Sequence, residues 1–211
     1  MSFLTKIVKE RTLFESSGHD FYHALRVVNL CNSLANEDVD GDVLIAAALL
    51  HDIARGEEHS LNKKSDYHIE QGAKIAEEIL SKINFPKHKI AKVKTCIAQH
   101  EDEGSEIIES QILQDCDRLD AMGAIGIARC FAYGGRIDRP IWCPTKTEEI
   151  WVPGVKNSSS IAHLHAKIVH LSQKMNTERG RKIAKDRLEF VTTFVDRFNA
   201  EMGAMVGGSY V

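Results

Sequence analysis

Apolar residues recur along this chain at intervals of three and four, and no run alternates apolar and polar positions as a strand would. The pattern predicts an all-α protein. A first helix is expected over Phe3–Phe14 and a second over Asp20–Asn36, with Phe21, Ala24, Leu25, Val28 and Cys31 on its apolar face. Asp40 suits the N-cap of a third helix, which runs through Leu50 to His51 and Asp52. The stretch Arg55–Ser65, rich in Gly, Glu, His and Lys, reads as a loop. Asp66 is placed to cap a fourth helix reaching about Asn84, and Pro86 to open the first turn of a fifth that ends near His100. Glu106–Tyr133 is expected to be helical with a break at Gly123.

Gly134–Ser160 has a different texture. It holds Pro140, Pro144 and Pro153, both tryptophans (Trp142 and Trp151) and a Lys156-Asn157-Ser158-Ser159-Ser160 turn. Irregular segments of this length inside a domain are usually lids, binding loops or disorder. Two further helices are expected over about Ser160–Lys174 and Thr177–Met202, before a Gly-rich tail, Gly203–Val211, that should fray. The expected organisation is a single domain over 1–211. Within it, 1–133 would form a metal-binding helical core, 134–160 a lid-like segment, 161–203 C-terminal helices and 204–211 a tail.

The chemistry is concentrated where the longest apolar run stops. Val43-Leu44-Ile45-Ala46-Ala47-Ala48-Leu49-Leu50 belongs in a core, yet His51-Asp52 follows at once. A buried imidazole beside a carboxylate is costly unless something neutralises and orients both, and a divalent metal does so. His23 upstream and Asp117 downstream are placed to complete the shell. Asp52 would then serve as ligand and catalytic carboxylate together. Two imidazoles with two carboxylates suit Mn²⁺, Fe²⁺ or Zn²⁺, with Mg²⁺ also possible. A second doublet, His19-Asp20, precedes the second helix and reads as a surface or capping pair.

His, then adjacent His-Asp, then a distant Asp is the order of the HD superfamily of metal-dependent phosphohydrolases, which this chain resembles. His23-Ala24-Leu25-Arg26-Val27, Leu49-Leu50-His51-Asp52-Ile53-Ala54 and Asp115-Cys116-Asp117-Arg118-Leu119-Asp120-Ala121 are similar to successive motifs of one bacterial and archaeal subfamily. Arg139-Pro140-Ile141, Ile161-Ala162-His163, Lys167-Ile168, Met175-Asn176-Thr177 and Ala184-Lys185-Asp186-Arg187 extend the resemblance through the C-terminal half. It implies an HD-type helical bundle with additional C-terminal helices. It also implies Mn²⁺-dependent nucleoside triphosphate pyrophosphohydrolase activity by metal-activated water. Alternatives are a di-iron oxygenase on the same fold, or a nucleotide-sensing module without turnover.

His68 and His100 lie between the doublet and the last Asp, where dinuclear relatives carry extra ligands. They are candidates for a second metal bridged by Asp52, or for donors to a substrate phosphate. Glu57 or Glu58 is expected to orient or deprotonate the attacking water. Arg26, Arg118, Lys167 and Arg187 are the candidate phosphate contacts, since phosphate calls for cationic donors. Asp120 is placed to support a ligand histidine.

Composition narrows the field without deciding it. At 211 residues with 43% hydrophobic and 27% charged positions, the chain can bury a sizeable core. A net charge of −3 gives no footprint for a nucleic-acid polymer, so a small phosphorylated substrate is the expected partner. Five cysteines with no CxxC pair suggest a reduced, cytoplasmic protein, and Met1–Lys6 shows no signal-peptide pattern. The longest apolar run, eight residues, is too short to span a membrane. A homo-oligomer is compatible with all of this. No GxxxxGK[ST], GxGxxG or GxSxG motif offers a competing chemistry.

Overall fold

The computed structural model describes residues 3–13, 18–61, 67–143 and 158–206. Every regular element among them is a helix: α1 (Phe3–Thr12), α2 (Phe21–Leu34), α3 (Gly41–Leu50), α4 (Arg55–Ser60), α5 (Tyr67–Lys82), α6 (Lys87–Ala98), α7 (Ile108–Asp120), α8 (Gly123–Arg136), α9 (Ser160–Ser172) and α10 (Glu178–Val206). The all-α expectation holds.

Helix starts follow local chemistry. Asp20, extended at φ −79° and ψ 178°, accepts the His23 amide at 2.8 Å and caps α2. Asp40 does the same for α3 through the amides of Asp42 and Val43. Pro86 is the N-cap of α6, one position earlier than expected. The break at Gly123 is real, because α7 stops at Asp120 and Gly123 takes φ +67°, open to glycine at little cost.

Three expectations change. Arg55–Ser60 is helical: the chain turns through His51–Ala54, and the Glu58 amide then donates to the Ala54 carbonyl at 3.0 Å. Helix α8 runs to Arg136, into the segment expected to be irregular, and α10 runs past Gly203 to Val206. The expected cap Asp66, the lid residues 144–157 and the tail beyond 206 lie outside the described residues.

The chain divides into two compact units. The first comprises residues up to Asp120 together with Lys174–Gly180. Its centre is α3, whose Val43, Leu44, Ala46, Ala47, Ala48, Leu49 and Leu50 are all buried. A helix apolar on every side needs neighbours on every side. Accordingly α1, α2, α6 and α7 all pack against α3, and α5 packs on α6. Lys174–Gly180 is stitched on by Asp115 of α7. Its buried carboxylate accepts the Asn176 amide at 2.7 Å, the Thr177 amide at 2.8 Å and the Thr177 hydroxyl at 2.7 Å. The second unit comprises Ala121–Gln173 and Arg181 onward, with α8 packed on α9.

Candidate metal centre

The first unit brings together every ligand expected from the sequence. His23 is the third residue of α2, in its first turn, and faces α3 and α7 with no exposed surface. His51 stays in right-handed helical geometry past the last residue of α3, and Asp52 follows in the turn. Asp117 comes from α7, His68 from the start of α5 and His100 from the turn after α6.

Each of the four histidines has its Nδ1 already committed. His23 Nδ1 donates to Asp120 Oδ2 at 2.8 Å, and His51 Nδ1 to the Ala48 carbonyl at 2.9 Å. His68 Nδ1 donates to Glu58 Oε2 at 2.8 Å, and His100 Nδ1 to the Ile97 carbonyl at 2.6 Å. Carboxylates and carbonyls accept only, so the neutral ring carries its proton on Nδ1 and turns a lone pair out on Nε2. All four are set to the same tautomer.

Those Nε2 atoms form two groups that share Asp52. In the first, His23 and His51 Nε2 are 3.1 Å apart, and Asp52 Oδ2 is 3.6 Å and 3.5 Å from them. Asp117 Oδ1 lies 3.4 Å and 3.8 Å from the same two nitrogens. In the second, Asp52 Oδ1 is 3.8 Å from the Nε2 of both His68 and His100. Asp52 Oδ1, His68 Nε2 and His100 Nε2 are buried and receive no hydrogen bond. Three acceptors meeting in a buried place call for a cation. Two clusters, His23-His51-Asp52 and Asp52-His68-His100, have donor atoms close enough to hold an ion each. The nitrogen and oxygen donor set fits a divalent metal.

The electrostatics agree. Burial pushes the His51 imidazole down to about 4, keeping it neutral and available as a ligand. Burial alone would raise Asp52, but His51, Arg55 and His19 beside it outweigh that and hold its carboxyl well below the usual range.

The supporting residues are where sequence and structure part. Asp120 holds His23, as expected. Arg26, expected on phosphate, instead grips Asp120 with Nε at 2.7 Å and Nη2 at 3.0 Å. Arg118 is also turned from that role: it is buried and donates to the Lys174 carbonyl at 2.7 Å and the Asp102 carbonyl at 2.5 Å. Glu58, expected to handle water, spends its carboxylate on the amide and ring of His68 and on Arg55. Glu57 sits at the surface, 3.6 Å from Arg11. Lys167 and Arg187 belong to the second unit, on α9 and α10, and the stem of Arg187 closes over Gly123 there.

Two residues of the site escaped the sequence reading. Arg55 lies 3.4 Å from Asp52 Oδ1, 3.1 Å from Glu58 and 2.5 Å from Glu101. Glu101 Oε1 is in turn 3.4 Å from His68 Nε2 and 4.0 Å from His100 Nε2. The adjacency of Arg55 to the doublet was a signal, obscured by reading its segment as a loop. Nothing local marks Glu101, a charged residue in a charged stretch. His19-Asp20 behaves as a capping pair through Asp20, while the His19 ring meets the His23 ring edge-on at 5.4 Å.

A helical bundle enclosing this histidine–aspartate set defines a metal-dependent hydrolase site. The HD-domain family pattern matches residues 20–122, which contain all five residues of the two clusters and Asp117. An HD-superfamily hydrolase from Bacillus thuringiensis is 32% identical, with 95% of each chain covered and a TM-score of 0.74. A predicted HD-superfamily hydrolase from an uncultured Thermotogales bacterium is 33% identical over 95% of this chain and 91% of that one, with a TM-score of 0.66. Bacillus subtilis YpgQ, whose crystal structure is known in complex with ADP, is 27% identical over 94% of this chain and 95% of its own, with a TM-score of 0.72. The chain belongs to the HD superfamily and is a metal-dependent phosphohydrolase.

Proposed function

We propose that this protein hydrolyses nucleoside or deoxynucleoside triphosphates to the monophosphate and pyrophosphate, with Mn²⁺ as the preferred metal. The observation that carries the reading is the shared Asp52, whose two oxygens face two buried sets of imidazole lone pairs. Similarity to YpgQ, seen in complex with ADP, supports a nucleotide as substrate.

His23, His51, Asp52 and Asp117 would hold the first ion, and His68 and His100 would join Asp52 around a second. A bound divalent ion polarises phosphoryl oxygens and makes water a nucleophile near neutral pH. The chain's own residues do the positioning. Asp120 and the Ala48 carbonyl fix the rings of His23 and His51, and Glu58 and the Ile97 carbonyl fix those of His68 and His100. Arg55 holds Glu101 against the second cluster while the Glu101 side chain keeps 42% of its surface in solvent. On this reading Glu101, beside the second cluster and partly in solvent, would orient the attacking water.

The test is product release from a panel of NTPs and dNTPs. Chelator-stripped protein is reloaded with Mn²⁺, Mg²⁺, Fe²⁺ or Zn²⁺, and pyrophosphate and orthophosphate are measured separately. Metal-dependent pyrophosphate release is expected. Silence across nucleotides overturns the substrate assignment. The paired clusters also suit a di-iron oxygenase, which stoichiometric iron in the purified protein and consumption of O₂ would favour.

A further inference from the structure

His100 and Glu101 reach the second cluster from an irregular stretch rather than from a helix. Helix α6 ends at Ala98 and α7 starts at Ile108. Between them the His100 amide reaches the Ile97 carbonyl at only 3.4 Å, the Asp102 amide meets the Gln99 carbonyl at 3.0 Å, and Gly104 takes φ +83°. A turn without a repeating ladder takes its path from whatever satisfies its carbonyls.

Two side chains of α7 do so. Gln114 is fully buried, and its Nε2 donates to the Gln99 carbonyl at 2.7 Å and to the Gly104 carbonyl at 3.1 Å, one at each end of the turn. Carbonyls only accept, so the amide faces them one way round, and its Oε1 is left to accept Asn176 Nδ2 at 2.8 Å. Arg118, four residues on, shares that face of α7. Its Nη2 donates to the Asp102 carbonyl at 2.5 Å and its Nη1 to the Lys174 carbonyl at 2.7 Å. Each side chain thus ties the turn to Lys174–Asn176, a distant segment of the same unit.

Stability is a poor reason for such a pair. Arg118 is buried, its hydrogen bonds go to two neutral carbonyls, and the Asp115 carboxylate stands 3.9 Å off. Taking a guanidinium out of water for partners of this kind is costly, and an apolar side chain of similar volume often serves a core as well or better. An apolar side chain cannot, however, fix particular carbonyls in place.

We propose that Gln114 and Arg118 are positioning residues for the second ion. By holding the carbonyls of Gln99, Asp102 and Gly104 they set the turn that presents His100 Nε2 3.8 Å from Asp52 Oδ1 and Glu101 Oε1 3.4 Å from His68 Nε2. The first cluster does not draw on this turn: His23 comes from α2, His51 and Asp52 follow α3, and Asp117 lies on α7 itself. The pair therefore acts on one cluster and spares the other. The part of the proposal that concerns an ion rests on the two-cluster reading above. The part that concerns His100 and Glu101 rests on hydrogen bonds alone.

The test uses the full chain and two readouts, one of which needs no metal. In metal-stripped, ¹⁵N-labelled protein, NMR follows solvent exchange of the His100 and His51 Nδ1 protons, which are bonded to the Ile97 carbonyl at 2.6 Å and the Ala48 carbonyl at 2.9 Å. Arg118→Lys leaves a cation that cannot span both carbonyls, and Gln114→Met keeps the length without the amide. Each should speed exchange at His100 by at least about 10-fold through local opening, with His51 at its wild-type rate. In Mn²⁺ titrations followed by electron paramagnetic resonance, the same variants should bind the second ion about 10–100-fold more weakly and the first as wild type does. Glu109→Gln is the control for general destabilisation. Glu109 is also buried on α7, but it holds the Asp40 amide at 2.8 Å and Lys92 at 2.8 Å, away from the turn. It should show no split between the two rings or the two ions.

His100 exchange that stays at the wild-type rate, or that rises equally at His51, overturns the proposal. So does a second-ion affinity left unchanged in both variants. Wild-type protein that saturates at one ion refutes the two-ion reading instead, and the exchange rates then decide by themselves whether the pair positions His100.

Discussion

The Nε2 atoms of His23 and His51 lie 3.1 Å apart while both Nδ1 atoms donate elsewhere, to Asp120 and to the Ala48 carbonyl. Two imidazole lone pairs facing each other repel, and a cation between them turns the repulsion into coordination. Removing either ring should therefore remove the ion. His51→Ala and Asp52→Ala are expected to lose bound metal and turnover together while far-ultraviolet circular dichroism stays near wild type. Elemental analysis of the gel-filtered variants checks it, and a metal-replete Asp52→Ala enzyme with full activity would refute the ligand assignment.

The second cluster makes a separate claim about stoichiometry. His68→Ala and His100→Ala should each lower bound Mn²⁺ from two ions per chain to one, leaving the first site filled. Titration of stripped protein with Mn²⁺, followed by electron paramagnetic resonance, distinguishes the cases. Wild-type protein that saturates at one ion would assign these histidines to substrate phosphate instead.

Asp120 orients a ligand without being one. Asp120→Asn keeps the shape but weakens the hold on His23 Nδ1 and breaks the charge pairing with Arg26. Loss of such a partner typically costs 10–100-fold in metal affinity or activity. The expected outcome is that loss in Mn²⁺ affinity, largely recovered in turnover at saturating Mn²⁺. Unchanged Mn²⁺ affinity in Asp120→Asn would contradict the role.

Acid should weaken the metal-free fold in a defined window. His51 takes a proton near pH 6.5 when unfolded but only near pH 4 when folded, because burial disfavours its charged form. The unfolded chain thus binds more protons between those values, and stability falls as pH falls from about 6.5 to about 4. The full contribution of this ring is about 3 kcal/mol at most. Melting temperatures of stripped protein across that range should drop, and the slope should flatten in His51→Gln. An equal slope in the variant would place the effect elsewhere.

Asp115 has a structural task, two positions before Asp117 of the metal-site cluster. It holds Asn176 and Thr177, and Thr177 Oγ1 in turn accepts the Gly180 amide at 2.9 Å at the start of α10. Asp115→Ala should cost at least about 2 kcal/mol by orphaning these donors. Gly180→Ala should also destabilise, because its Cβ would stand 2.3 Å from Asp115 Oδ2. Urea denaturation measures both, and wild-type midpoints for the two variants would show that the clasp contributes nothing.

Local pattern determined a good deal of this protein. Helix identity, the Asp20 and Asp40 caps and the break at Gly123 were readable because each depends on residues within one turn of itself. The convergence of His23, His51, Asp52 and Asp117 was readable because polar groups interrupting apolar helix faces must meet something charged in the core. Tertiary structure decided what the remaining charged side chains do. Arg26 and Arg118 look alike on paper as phosphate contacts, but Asp120 and two backbone carbonyls reached them first. Glu58 was drawn to His68 and away from water, and Glu101, a residue without any local mark, came to lie beside the second cluster. A long charged side chain can point in many directions, and its choice depends on partners far away in the chain. The direction of a buried histidine beside an apolar run is already constrained by its own helix.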